Sequence, residues 1–141
     1  MGLLSGLLGH KEQHPPLDPQ SMAARRLEQS RTSVESFAGK VKDRMELVPA
    51  ADAVYVFIGK PPGTFGIAWI ENGEEHNLKT LVQKQGLSQA TVANISEALR
   101  SAYESHMNEA RYQATVAGKT VTVIPSEELG SQIKRVISNV A

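Results

Sequence analysis

From Ser21 onward, apolar residues recur at helical spacing. Leu27, Val34 and Val41 fall seven apart, with Ser30 and Phe37 between them and Met45 beyond, on an otherwise charged stretch. This pattern predicts one amphipathic helix from Ser21 to Val48, ended by Pro49. The rhythm then changes. AVYVFI, from Ala53 to Ile58, is dense in β-branched and aromatic residues and predicts a buried strand. A Pro/Gly loop from Gly59 to Gly63 leads to a second strand, FGIAWI. Asn72-Gly73 is a strong hairpin signal, because a type I′ turn needs positive φ at both central residues. Glu74 to Leu78 then makes a short polar strand at the sheet edge. Leu81 to Gln85 forms about one helical turn, closed by Gly86. Ser88 caps a longer helix reaching about Asn108, with Val92, Ile95, Leu99, Ala102 and Tyr103 on its apolar face. Arg111 to Val116 and Lys119 to Ile124 alternate around Ala117-Gly118 as a second hairpin. After Pro125, Ser126 caps a last helix, whose apolar face is Ile133, Val136, Ile137 and Val140.

The first nineteen residues fit neither rhythm. Leu3, Leu4, Leu7 and Leu8 would form one apolar stripe on a helix, and Pro15, Pro16 and Pro19 separate that stripe from the rest of the chain. The chain divides into an apolar arm and Pro-rich linker, residues 1–20, and one domain, residues 21–141. Four leucines kept away from their own core point to docking on apolar surface elsewhere.

Composition narrows the reading further. Of 141 residues, fifteen are basic and fifteen acidic, so no global field attracts nucleic acid or an anionic membrane. There is no cysteine, which excludes disulfides, thiolate metal sites and a Cys nucleophile and fits a cytoplasmic setting. No apolar stretch is long enough to span a bilayer. Gly2 does not make a myristoylation signal, because Gly6 stands where that motif requires Ser or Thr.

Few residues suggest chemistry. Gly59-Lys60-Pro61-Pro62-Gly63-Thr64-Phe65-Gly66 resembles the front half of an ATPase phosphate loop, but the Gly-Lys-[Ser/Thr] that would hold phosphate and magnesium is missing. A hairpin connection is the plainer reading; Lys60, Gly63 and Thr64 remain a candidate ligand loop. His10 and His14 stand at i and i+4, but the glutamate of a zinc-protease motif is displaced. His76 and His106 are isolated in sequence. Phe65, Ile67 and Trp69 share one face of the second strand and Gly66, Ala68 and Ile70 the other, so both faces are apolar enough for a central strand. Trp69 is either core or part of a docking surface. Neither a metal site nor a cofactor is expected.

These elements predict an α+β domain with a five-stranded antiparallel sheet and helices packed on one face, in the order α-β-β-β-α-β-β-α. That order is similar to the class I chaperones of type III secretion. The resemblance implies a dimer that cradles an extended segment of a client. The resulting expectation is a non-enzymatic adaptor, chaperone-like protein or accessory subunit. It binds another protein, and itself as a homodimer, through Leu3, Leu4, Leu7, Leu8 and Trp69. The alternative is a small-ligand-binding or enzymatic domain using the Gly59–Gly66 loop.

Overall fold

The computed structural model describes residues 14–139. Leu3, Leu4, Leu7, Leu8, His10 and Val140 lie outside the described residues. The elements are α1 (Met22–Gln29), α2 (Arg31–Lys40), β1 (Met45–Pro49), β2 (Val54–Gly59), β3 (Phe65–Glu71), β4 (Glu74–Asn77), α3 (Leu78–Gln85), α4 (Gln89–Ser105), β5 (Tyr112–Val116), β6 (Lys119–Val123) and α5 (Glu127–Ser138). The six strands form one sheet in the order β4-β3-β2-β1-β6-β5. β1 runs parallel to β6, with Glu46 opposite Thr122, and every other pairing is antiparallel.

Local chemistry accounts for most boundaries. The Ser21, Ser88 and Ser126 hydroxyls each accept an amide three residues on and start α1, α4 and α5. Asn77 and Thr80 form a reciprocal capping box at the start of α3, and Gly86 ends it at φ 63°. Asn72 and Gly73 sit at φ 55° and 78°, as the β3–β4 hairpin requires. Ala117 and Gly118 do the same at the β5–β6 turn.

Two expectations are corrected. The helix foreseen from Ser21 to Val48 breaks at Ser30 into α1 and α2, and its last residues become β1. The fully buried segment Met45–Pro49 fits the slot between β2 and β6, where ladder hydrogen bonds on both sides outweigh a weak helical pattern. The sheet is therefore six-stranded and mixed rather than five-stranded and antiparallel. Helices also cover both of its faces. α3, α4 and α5 pack on Tyr55, Phe57, Trp69 and Ile124, whereas α1 and α2 pack on Leu47, Val54, Val56 and Ile70. The observed order, two helices, four strands, two helices, two strands and a helix, departs from the one on which the likeness to type III secretion chaperones rests.

Candidate functional site

The linker does not stand apart from the domain. Gln113 N–H donates to the Pro15 carbonyl at 2.9 Å, and Leu17 N–H donates to the Gln113 carbonyl at 2.9 Å. Pro16 thus bridges to Gln113 in parallel register, and the linker lies along the outer edge of β5. The outward-facing polar groups of Gln113 are satisfied by the chain itself, which blunts this edge where the pairing occurs. The opposite edge is protected by charge: Glu74 and Glu75 lie on β4, and Glu75 pairs with Lys40 at 2.8 Å.

On the α1–α2 side, the linker, the two helices and β5 enclose an open groove of about 530 Å³. Its apolar lining includes Leu17, Leu27, Val34, Ala114 and Val116. Arg31 stands at the rim with Glu28 and Glu35, at 3.4 and 3.2 Å, so these rim charges compensate one another. The groove exists because two short helices cannot cover six strands. They cover the centre of that face and leave its β5 end partly open.

A second concavity, of about 280 Å³, lies on the α4 side of the sheet. The parallel β1–β6 pairing places Glu46 beside Thr122, and the end of β2 brings Lys60 to the same place. Glu46 is 6% exposed. Such a buried carboxylate requires partners. The Tyr103 hydroxyl donates to Glu46 Oε1 at 2.6 Å, and Arg44 approaches Oε2 at 3.8 Å. Burial, reinforced by that carboxylate, pushes the Tyr103 phenol up to about 12, with Arg111 pulling the other way. The Arg111 guanidinium lies 5.3 Å from the Tyr103 ring centroid, and its Nη1 donates to the carbonyls of His106 and Glu109 at 3.0 and 2.9 Å. Arg111 thereby caps the C-terminal end of α4. Nearby, His106 Nδ1 lies 2.5 Å from Glu109 Oε2, and this hydrogen bond, together with a weaker one from Ser126, holds the Glu109 carboxyl below its usual range.

The residues singled out in the sequence are dispersed. Trp69 is 7% exposed, packed in the core and stacked on His76 with ring centroids 5.7 Å apart. Of the candidate ligand loop, Lys60 lines the smaller cavity, but Gly63 and Thr64 do not. The Gly63 carbonyl instead accepts from Arg100, as does that of Pro62 at 2.7 Å, and the Thr64 carbonyl accepts from Lys60 N–H at 2.9 Å. The loop leads into strand β3, not into a helix, so it lacks the N-terminal amides on which phosphate loops rely. His14 contributes its backbone N–H to Gln113 Oε1, at 3.2 Å. Among the described residues, no group of three His, Cys, Asp or Glu could hold a metal ion, and no helix is long and apolar enough to cross a membrane. Sequence reasoning does not group Glu46, Tyr103 and Arg111. The one available signal is a glutamate inside an otherwise apolar MELVP run. Comparison of the chain with protein-family models, curated proteins and solved structures gives no match.

Proposed function

We propose that this protein is a non-enzymatic interaction module, an adaptor or accessory subunit, that assembles by exchanging its N-terminal arm with a second copy. The observation that carries this reading is the apolar groove beside β5, with the linker to the leucine-rich arm forming one wall. Direction favours exchange between copies. Because Pro16 pairs with Gln113 in parallel, His14 lies toward the Arg111 end of this pairing, opposite to the groove floor at Ala114 and Val116. An arm reaching its own groove must reverse within a few residues, whereas the groove of a second copy imposes no reversal. Reciprocal insertion generates a two-fold symmetric dimer.

The energies are closely balanced. Burying four leucines contributes about 6–12 kcal/mol at roughly 1.5–3 per side chain. Ordering eight backbone residues costs about 8–16 kcal/mol. An arm on its own therefore gains little. Two arms in two preformed grooves double both the burial and the ordering cost, and the loss of translational and rotational freedom is incurred once for both, so stable exchange also requires the groove's own apolar lining, Leu17, Leu27 and Val34, to be buried.

Sedimentation analysis of three full-length proteins tests the proposal. Wild type is expected to be a dimer at high micromolar concentration. Leu4→Asp with Leu8→Asp is expected to be a monomer whose melting temperature matches that of wild type diluted to monomer within a degree or so. Leu27→Glu, which places a charge in the groove, is expected to be a monomer as well. Mixing the arm variant with the groove variant should restore heterodimers, since each pair keeps one intact arm and one intact groove. A monomeric wild type would overturn the reading, as would an arm variant that melts many degrees lower.

A further inference from the structure

The cavity beside α4 has a charge imbalance that the fold itself does not use. Arg44, Lys60 and Arg111 face it against one carboxylate, Glu46. Glu46 is already engaged by Tyr103 and Arg44. Lys60 forms no ion pair among the described residues. On Arg111, Nη1 is held by backbone carbonyls, but Nη2 is buried without a hydrogen-bond acceptor. Buried donors that lack acceptors are few in folded proteins, and each calls for a partner. One of these cations is also fixed in place. The carbonyls at the end of α4 and the Tyr103 ring hold the Arg111 guanidinium. Lys60 stands on a loop tied back by Arg100.

We propose that this cavity binds a small oxyanion, a free phosphate or the phosphate of a small phosphomonoester, through Lys60 and Arg111, with the Thr122 hydroxyl beside them. Among the residues that line the cavity, two positive charges remain after Glu46 is counted, with Glu109 acting on Arg111 from outside the lining, which suits an anion. The Nη2 donor left over on Arg111 offers a charge-assisted hydrogen bond to an oxygen acceptor, and a lysine supplies a point charge alongside. About 280 Å³ accommodates a phosphate with a short organic group and is too small for a polymer. The site does not depend on arm exchange: the linker residue that lines it, His14, is held by Gln113 of the same chain.

Titration calorimetry of the full-length protein with inorganic phosphate, and separately with glycerol phosphate, tests this at constant ionic strength set by chloride. Saturable binding of at least one probe is expected. Tighter binding of glycerol phosphate assigns the site to phosphomonoesters, and equal or weaker binding assigns it to free phosphate. Lys60→Met alters an exposed side chain and should leave the melting curve unchanged while weakening binding about tenfold. Arg111→Lys, which keeps the charge but loses the Nη2 donor, should weaken it as well. Absence of saturable heat from either probe up to about 10 mM would overturn the proposal, as would binding of equal strength in wild type and both variants.

Discussion

On one face of the sheet, β2 and β3 present Tyr55, Phe57, Phe65 and Trp69; on the other, the same strands present Val54, Val56, Ala68 and Ile70. Both faces are apolar, so alternation here separates aromatic from aliphatic rather than inside from outside. The aromatic face lies under three helices and makes edge-to-face contacts, with Phe57 5.5 Å from Phe65 and 5.1 Å from Tyr103. The three buried polar residues among those described, Glu46, His106 and Ser126, belong to that side. The aliphatic face lies under two helices, has no buried ionisable group among the described residues, and opens into a groove at its β5 end. Large, directional side chains enclose most of a polar network and leave only a small cavity beside it. Small branched ones fill a flat interface but cannot extend cover where helices run out. The comparison predicts where each kind of ligand belongs: an anion on the first face, an apolar segment on the second.

The largest test of this contrast is truncation at adjacent buried positions. Phe57→Ala should lower the free energy of unfolding by about 3–5 kcal/mol. Val56→Ala, one residue along and facing the other way, should cost about 1–3 kcal/mol. Urea unfolding with an unchanged denaturant slope measures both. Equal costs would mean that the two faces are energetically alike.

Next in size is the polar network. Tyr103→Phe leaves Glu46 without its shortest hydrogen bond and should destabilise the protein by about 1–3 kcal/mol. Adding Glu46→Leu to that variant should recover part of the loss, because the stranded buried carboxylate is then gone. Failure of the second change to recover any stability would show that packing, not the hydrogen bond, is what Tyr103 supplies.

The smallest effect separates the faces by pH. The folded-state value of the Glu109 carboxyl is depressed, first by its hydrogen bond with His106 and then by one from Ser126. A depressed carboxyl contributes stability that is fully present above its ordinary value of 4.5 and is lost as pH falls through the folded value. Wild-type stability should therefore drop more steeply than that of Glu109→Gln as pH falls below the ordinary carboxyl value of 4.5. Parallel acid profiles for the two proteins would remove Glu109 from the account.

Much of the chain's local structure is legible in the order of its residues. β2 and β3, both hairpin turns, the Ser88 and Ser126 caps and the Gly86 stop all arise from residue types whose backbone preferences act over a few positions. β1 is not legible. Four of its five residues, Met45 to Val48, also fall within the helix that the spacing predicts, and only pairing with β2 and with β6, more than seventy residues away, makes them a strand. The candidate sites are legible in fragments. Lys60 stands out in its Pro/Gly loop, but nothing local connects it with Glu46, Tyr103 and Arg111.

The sequence by itself determined which segments turn, which are capped and which are apolar enough to be buried on both sides, because those are properties of short stretches of chain. The tertiary structure alone decided that β1 completes a mixed six-stranded sheet, that helices cover both faces unequally, and that the Pro-rich linker closes along β5. Each of these depends on which distant backbone groups find one another, and a hydrogen-bond ladder or a buried carboxylate is stabilised by its partners in space, whatever their separation along the chain.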